Sequence, residues 1–71
     1  MRMGTVKSDL IAKVGYDDAH GGTMRVEYSD GAVFDYFKIS LSTYKALLRS
    51  KSIGADWLHL RDQYKFKRVT S

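Results

Sequence analysis

The chain has 71 residues, enough for one hydrophobic core and not for two, since a chain of this length buries only about 60% of its unfolded surface. It is 44% hydrophobic and 13% aromatic and has no cysteine, which excludes disulfides, a catalytic thiolate and a cysteine-based zinc finger. Its charge is uneven, because residues 38–71 hold eight Lys or Arg against two acids, a net of +6, whereas residues 1–37 hold four against six. The basic half predicts an anionic partner, either nucleic acid or an acidic protein surface, with an ordinary solvated surface as the alternative.

The first half of the chain predicts three β-strands. Residues 10–16, 23–29 and 32–38 mix β-branched and aromatic side chains with a period of two. Polar, glycine-containing segments at residues 17–22 and 29–31 separate them as a loop and a tight turn. The pattern predicts a three-stranded antiparallel meander.

The second turn decides which side chains share a face of this sheet. A two-residue turn would set Val26 opposite Asp35 and mix charge with hydrophobe on both faces. A three-residue turn with Gly31 in the left-handed bulge position instead pairs Val26 with Phe34. On the other face it sets Arg25 opposite Asp35. We predict the bulged register, because it gives one apolar face.

The second half of the chain predicts two helices. Ser40 suits an N-cap, and a helix over residues 41–50 follows, with a buried stripe formed by Leu41, Tyr44, Leu47 and Leu48. After an interruption at residues 52–54, a helical pattern resumes over residues 55–64, where one face holds Trp57, Leu60 and Tyr64. Residues 65–69 are too short for another helix and predict a short extended segment. The expected order is β-β-β-α-α, an α+β fold with both helices packed on one sheet face.

These elements define one domain at residues 8–69. We expect residues 1–7 to be a flexible N-terminus and residues 70–71 to be the C-terminal end. No apolar run approaches the roughly 20 residues that span a bilayer, and the first residues lack the apolar segment of a signal peptide. A monomeric, cytoplasmic protein without membrane contact is therefore expected.

The residues do not predict an enzyme. His20 and His59 stand in a loop and on a predicted helix, with no recognisable nucleophile motif around them. Asp17, Asp18 and His20 lack the ligand spacing of a calcium or zinc loop. We therefore expect no catalytic residue, no metal and no cofactor.

Ser52 and Gly54 mark a candidate anion site between the helices. The structural alternative is that Gly54 supplies a positive φ at a helix end. The functional interpretation is that Ser52 and the free N–H groups opening the second helix bind an anion, with Lys51 and Arg61 facing it.

Two phenylalanines differ from the aromatic residues of the predicted core. Phe37 and Phe66 fall outside the apolar stripes and next to cations, a mixture that suits single-stranded nucleic acid or a protein hot spot. The alternative for Phe66 is that it folds back onto the sheet. Together with the cations outside the apolar stripes they form the predicted partner-binding surface: Phe37, Lys45, Arg49, Lys51, Arg61, Lys65, Phe66, Lys67 and Arg68.

Several short elements along residues 8–69 have an order and spacing typical of one family. They are Ile11, Val14-Gly15-Tyr16-Asp17, Val26 and Tyr28, Gly31-Ala32-Val33-Phe34-Asp35-Tyr36, Tyr44 with Leu47-Leu48, Ser52-Ile53-Gly54, Leu60-Arg61 and Tyr64. Together they resemble the KTSC domain, which is named after its occurrence at the C-terminus of some lysyl-tRNA synthetases and which also occurs as a small stand-alone protein in bacteria and phages. The resemblance implies a fold and a gene-expression context.

Two functions compete at this stage. The first is a non-catalytic regulator of bacterial or phage type that docks by protein–protein contacts on the transcription or translation machinery, host RNA polymerase above all. The alternative is an RNA-binding accessory module, of a kind that meets tRNA, which uses the basic C-terminal half.

Overall fold

A computed structural model describes residues 2–69, apart from the side chain of His20. Its elements in chain order are β1 (Met3–Thr5), β2 (Ile11–Asp17), β3 (Thr23–Tyr28), β4 (Val33–Phe37), α1 (Leu41–Leu48), α2 (Ile53–Leu60) and β5 (Phe66–Arg68). Single 3₁₀ turns occupy Ala19–Gly21 and Arg61–Gln63. The expected C-terminal end at residues 70–71 lies outside the described residues. Neither helix of the described chain has the length and apolarity to cross a membrane.

The sheet has five antiparallel strands in the order β1-β2-β3-β4-β5. The α+β class is confirmed, whereas the prediction of three strands is wrong by two. Strand β1 lies within the segment expected to be a flexible N-terminus, and β5 lies in the expected extended tail. Each has three residues, too few for an alternating pattern, so each becomes a strand only through its pairing with a longer neighbour.

The bulged register of the β3–β4 hairpin is confirmed. Val26 lies opposite Phe34, and Gly31 has a φ of +94°, the left-handed conformation that glycine adopts without strain. The Tyr28 N–H donates to the Ala32 carbonyl at 2.8 Å, which closes the three-residue turn. Met24, Val26 and Tyr28 of β3 consequently share one face with Phe34 and Tyr36 of β4, whereas Val33 and Phe37 lie on the other face.

A second irregularity lies in β2. Its pairing with β3 shifts between Ile11 and Lys13, which is the signature of a β-bulge. Ile11 and Val14 are three residues apart and would face opposite sides of a regular strand. Because of the bulge, both are buried in the same core, with 0% and 2% of their surfaces exposed.

The helices are shorter than predicted. The Ser40 N-cap is confirmed, since its Oγ accepts the Thr43 N–H at 3.2 Å. Helix α1 ends at Leu48, two residues before the predicted end at residue 50, and α2 runs from Ile53 to Leu60 where residues 55–64 were predicted. The predicted buried stripe of α1 is correct for Leu47 and in part for Tyr44, and it is wrong for Leu41 and Leu48, each of which is 46% exposed. An eight-residue helix meets the sheet over little more than one turn.

The core lies between one face of the sheet and the two helices, as predicted. Trp57 of α2 is fully buried at its centre and meets Tyr36 of β4 edge-on, with 4.7 Å between ring centroids. The buried hydrophobic residues are Ile11, Val14, Met24, Val26, Tyr28, Tyr36, Ile39, Leu47, Ile53 and Trp57.

Gly54 is needed for a close approach and not for a positive φ, so the structural interpretation given to it was wrong. It lies in the first turn of α2, and a Cβ there would stand 2.7 Å from the Ser8 Oγ. That Oγ accepts the N–H groups of Leu10 and Ile11 at 3.1 and 3.2 Å. The start of β2 and the start of α2 are thereby pressed together at a point where only glycine fits.

Candidate partner-binding site

A buried polar network lies beneath the candidate site. The Tyr28 hydroxyl accepts the Trp57 indole N–H at 3.0 Å and an Arg61 guanidinium N–H at 3.4 Å. It also lies 2.6 Å from the Tyr36 hydroxyl. Trp57 and Arg61 can only donate, so the Tyr28 oxygen accepts from both, and either hydroxyl can be the donor between Tyr28 and Tyr36. Burial raises the pKa of the Tyr36 hydroxyl well above its ordinary value, and its hydrogen bond with Tyr28 acts in the same direction.

Arg61 connects this network to the surface. Its guanidinium carbon lies 5.9 Å from the Tyr28 ring centroid, and the side chain is half-buried. The hydrogen bond to Tyr28 raises the pKa of Arg61 above its ordinary value. Arg61 is therefore a fixed cation on the helix-covered side of the sheet and not a freely moving one.

A row of aromatic rings continues from Tyr28 to the sheet edge. Phe34 meets the Tyr28 ring at 5.8 Å and the Phe66 ring at 5.6 Å between centroids, both edge-on. The Arg68 guanidinium carbon stands 5.8 Å from the Phe34 ring centroid. Phe66 joins the sheet, as its alternative interpretation predicted. It nevertheless stays 61% exposed, more than any other large hydrophobic side chain among the described residues.

A cleft of about 380 Å³ opens beside Arg61. It is lined by Asp9, Leu10, Tyr28, Ser29, Asp30, Ala32, Phe34 and Arg61. Two acidic residues, Asp9 and Asp30, line the same cleft as Arg61. Since both signs of charge line it, the cleft does not select an anion.

The predicted partner-binding residues fall into three groups. On the helix-covered side of the sheet edge lie Arg61, Phe66 and Arg68, which we call the aromatic-cationic edge. On the opposite, uncovered sheet face lie Phe37, Lys65 and Lys67, where the Lys65 carbonyl accepts the Phe37 N–H at 2.9 Å and Lys67 lies opposite Asp35. The exposed residues Lys45, Arg49 and Lys51 belong to α1 and the turn after it. Arg61, Phe66 and Arg68 thus lie on one side of the sheet edge, whereas Lys45, Arg49 and Lys51 lie on a different element, α1 and the turn that follows it.

The residues of the candidate anion site are not brought together with Arg61. Ser52 directly precedes α2, whereas Arg61 follows the other end of that helix, roughly 12 Å away at 1.5 Å per residue. The Ser52 N–H is already bonded to the Ser50 Oγ at 3.0 Å. The Ser50 hydroxyl in turn donates to the carboxylate of Asp56 in the first turn of α2, so an internal anion lies near this helix start.

The tyrosine–tryptophan network was missed in the sequence. The sequence placed Trp57 on one face of the second helix and predicted no partner for its N–H or for the hydroxyls of Tyr28 and Tyr36. The signal was present, since a buried tyrosine or tryptophan usually finds a hydrogen-bond partner for its O–H or N–H. Which partners meet could not be found, because Trp57 and Tyr28 are 29 residues apart.

The architecture defines a small α+β domain in which an antiparallel meander is covered on one face by two short helices. A comparison with family models matches the KTSC domain over residues 7–57, and the chain therefore belongs to the KTSC domain family. The resemblance found in the sequence is confirmed. A search of the curated proteins found no match to this chain. The matched residues include β2, β3, β4 and α1, whereas β1, Arg61 and β5 lie outside them.

Proposed function

We propose that the protein is a non-catalytic, monomeric binding module of bacterial or phage type that acts in the cytoplasm. It docks by protein–protein contacts on the gene-expression machinery, with RNA polymerase as the first candidate. The observation that carries this proposal is Phe66, a large aromatic side chain that is 61% exposed on a sheet edge next to cations. Aromatic residues and arginines are the side chains that most often dominate the affinity of protein interfaces.

The neighbours of Phe66 support an anchoring role. Its ring is braced from one side by Phe34 and Tyr36, with centroids at 5.6 and 5.7 Å, so it loses little conformational freedom when a partner covers it. Arg68 lies on the same sheet face as Phe66, and Lys65 and Lys67 flank it along the chain with their side chains on the opposite face. Such a braced aromatic with a charged rim has the anatomy of an interface centre.

The raised pKa values have structural causes, which supports a binding role over a catalytic one. Burial raises the pKa of Tyr44, and burial together with the hydrogen bond to Tyr28 raises the pKa of Tyr36. The hydrogen bond to Tyr28 raises the pKa of Arg61, and the hydrogen bond to Asp35 raises the pKa of Arg25. The family context, a module named after a synthetase C-terminus, directs the choice of partner toward gene expression.

The deciding experiment is affinity capture from a bacterial lysate with the chain immobilised, with and without nuclease. The expected result is retention of an RNA polymerase subunit that survives nuclease treatment and is lost with Phe66→Ser. The matched control is Leu41→Ser, which removes a side chain that is 46% exposed on α1 and should leave retention unchanged. Retention that is unaffected by Phe66→Ser, or that disappears with nuclease, contradicts the proposal.

RNA binding is the second candidate, because an exposed phenylalanine among three cations also suits stacking on an unpaired base. A single-strand binder loses affinity linearly on a log–log plot against salt, with a slope of about −0.7 per phosphate contact. Titration of purified single-stranded RNA at several salt concentrations tests this. A steep fall of RNA affinity with salt, together with a loss of affinity in Phe66→Ser, favours RNA as the partner. An RNA affinity that does not change with salt excludes RNA as the partner.

A further inference from the structure

Strand β5 is one of the two edges of the sheet, and its pairing with β4 fixes the direction of its backbone groups. The Phe37 N–H donates to the Lys65 carbonyl at 2.9 Å, and the Val69 N–H donates to the Val33 carbonyl at 2.8 Å. Positions 65, 67 and 69 therefore bond inward, because hydrogen-bonded positions alternate along an antiparallel pair. The N–H and C=O groups of Phe66 and Arg68 point outward, and no strand of the described chain lies on that side.

The side chains of β5 divide between the two sheet faces. Phe66 lies opposite Tyr36, and Arg68 lies opposite Phe34, both on the helix-covered side. Lys67 lies opposite Asp35 on the uncovered face, and Lys65 lies on that same face. Asp35 is already bonded to Arg25 at 2.7 and 3.0 Å, so Lys67 has no ion pair within the described residues. The edge thus offers outward-pointing backbone groups, an exposed ring and cations that form no ion pair among residues 2–69.

These charges argue against a second copy of this chain as the occupant. Two β5 strands paired antiparallel about Lys67 would set cation against cation, and like charges directly opposite each other destabilise a sheet. The other edge, β1, has Gly4 at its centre and no charged residue between Met3 and Thr5. Charge complementarity therefore selects β5 as the edge and an acidic strand as its occupant.

We propose that β5 accepts an extended acidic segment of a partner protein as a sixth, antiparallel strand. This inference rests on the protein-binding function above and names the chemistry of the partner. The partner residue opposite Phe66 is apolar and covers the exposed ring. The residues opposite Lys65, Lys67 and Arg68 are acidic, because each faces a cation on its own side of the sheet.

The test uses a fluorescent peptide with the core Glu-Glu-Ile-Glu between threonines, so that Ile meets Phe66 in the antiparallel register. Its binding to the full chain is measured by anisotropy. Methylation of the Ile backbone nitrogen removes the N–H aimed at β5 and should weaken binding by about tenfold or more. Methylation of the preceding Glu nitrogen, whose N–H points away from β5, is the matched control and should leave binding unchanged.

Two protein variants test whether the acidic peptide binds at the cations of β5. Lys67→Glu should weaken binding by about tenfold. Lys45→Glu changes an exposed lysine of α1 by the same charge and should have little effect. Circular dichroism of both variants establishes that each is folded.

Three outcomes overturn the strand-addition proposal: no binding of the unmodified peptide, equal affinity of the two methylated peptides, or equal weakening by the two lysine variants. If RNA polymerase is still captured in a Phe66-dependent manner, the proposed function stands and only the strand addition fails. If the peptide binds in the expected register while no polymerase subunit is captured, the strand addition stands and the named machinery is wrong.

Discussion

The Tyr28 hydroxyl is the centre of the hydrogen-bond network in the core, where it contacts Trp57, Arg61 and Tyr36. It is the acceptor for the Trp57 indole N–H, which is buried and has no other hydrogen bond within the described residues. Tyr28→Phe leaves that N–H unpaired and should lower the free energy of unfolding by about 1–3 kcal/mol. Urea unfolding measures the loss.

The control for Tyr28→Phe is Tyr44→Phe. The Tyr44 hydroxyl has no hydrogen bond to a described residue, and its ring stacks on Tyr16 at 4.9 Å in a contact that phenylalanine retains. We expect Tyr44→Phe to change the free energy of unfolding by less than about 0.5 kcal/mol. Equal effects of the two variants would show that ring packing and not the hydroxyl matters at Tyr28.

Tyr36 makes the fold sensitive to alkali. Burial raises the pKa of its hydroxyl above the value of about 10 that it has in the unfolded chain. The folded state therefore keeps a proton that the unfolded state releases, so this contribution to stability is complete below about pH 10 and is lost as pH rises further. Unfolding measured from about pH 8 to about pH 11.5 should show the decline, and Tyr36→Phe should flatten it. A decline that is equally steep in Tyr36→Phe contradicts the assignment.

At the scale of elements, Gly54 is a helical glycine whose replacement by alanine should not stabilise. In an open helix the change gains about 1 kcal/mol. Here the new Cβ would force the Ser8 Oγ, 2.7 Å away, to abandon its two backbone hydrogen bonds, so we expect a net loss of about 1 kcal/mol. In a Ser8→Ala background the clash is relieved and Gly54→Ala should instead stabilise. Thermal unfolding of the four proteins in this cycle checks the sign reversal.

Gly4→Ala is the comparison for the Gly54 cycle, because a Cβ at Gly4 meets nothing within 4 Å. We expect a change within about 0.5 kcal/mol. If Gly54→Ala behaves like Gly4→Ala in both backgrounds, the close approach of α2 to Ser8 has no energetic consequence.

The elements also show which features could be predicted from sequence. The β3–β4 register followed from residues within one hairpin, where a one-residue slip would have exposed Val26 and buried Arg25. The Ser40 cap was equally local. Strands β1 and β5 could not be found, because a three-residue edge strand such as Phe66–Arg68 is specified by its neighbour and not by its own pattern. The bulge at residues 11–13 was not predicted, because it breaks the period-two alternation from which strands are predicted.

The candidate site was predicted in composition but not in arrangement. The nine residues named from charge and aromatic content include the aromatic-cationic edge. Their division among two sheet faces and α1 depends on which face each strand residue points to. For β5 this is known only when its pairing register with β4 is known. Arg61 shows the same limit, because its bond to Tyr28 joins residues 33 positions apart.

For the whole molecule, residues after Tyr64 should add stability without being required for folding. The core is built from residues 11–57, and β5 contributes mainly the rings of Phe66 against Phe34 and Tyr36. A chain that ends at Tyr64 should therefore fold with a free energy of unfolding lower by about 1–3 kcal/mol, the worth of two aromatic pairs. Near-ultraviolet circular dichroism and urea unfolding measure this. Loss of all native signal would show instead that β5 is part of the folding core.

The single tryptophan gives the molecule an internal optical probe. Trp57 is fully buried, so its emission should be blue-shifted in the folded chain. Its ring lies 4.7 Å from that of Tyr36, which in turn lies 5.7 Å from that of Phe66. Three rings in sequence thus lead from the indole to the sheet edge, and Arg61 reaches the same indole through Tyr28. Occupation of that edge should alter the intensity or wavelength of the emission, so binding can be followed without any attached dye.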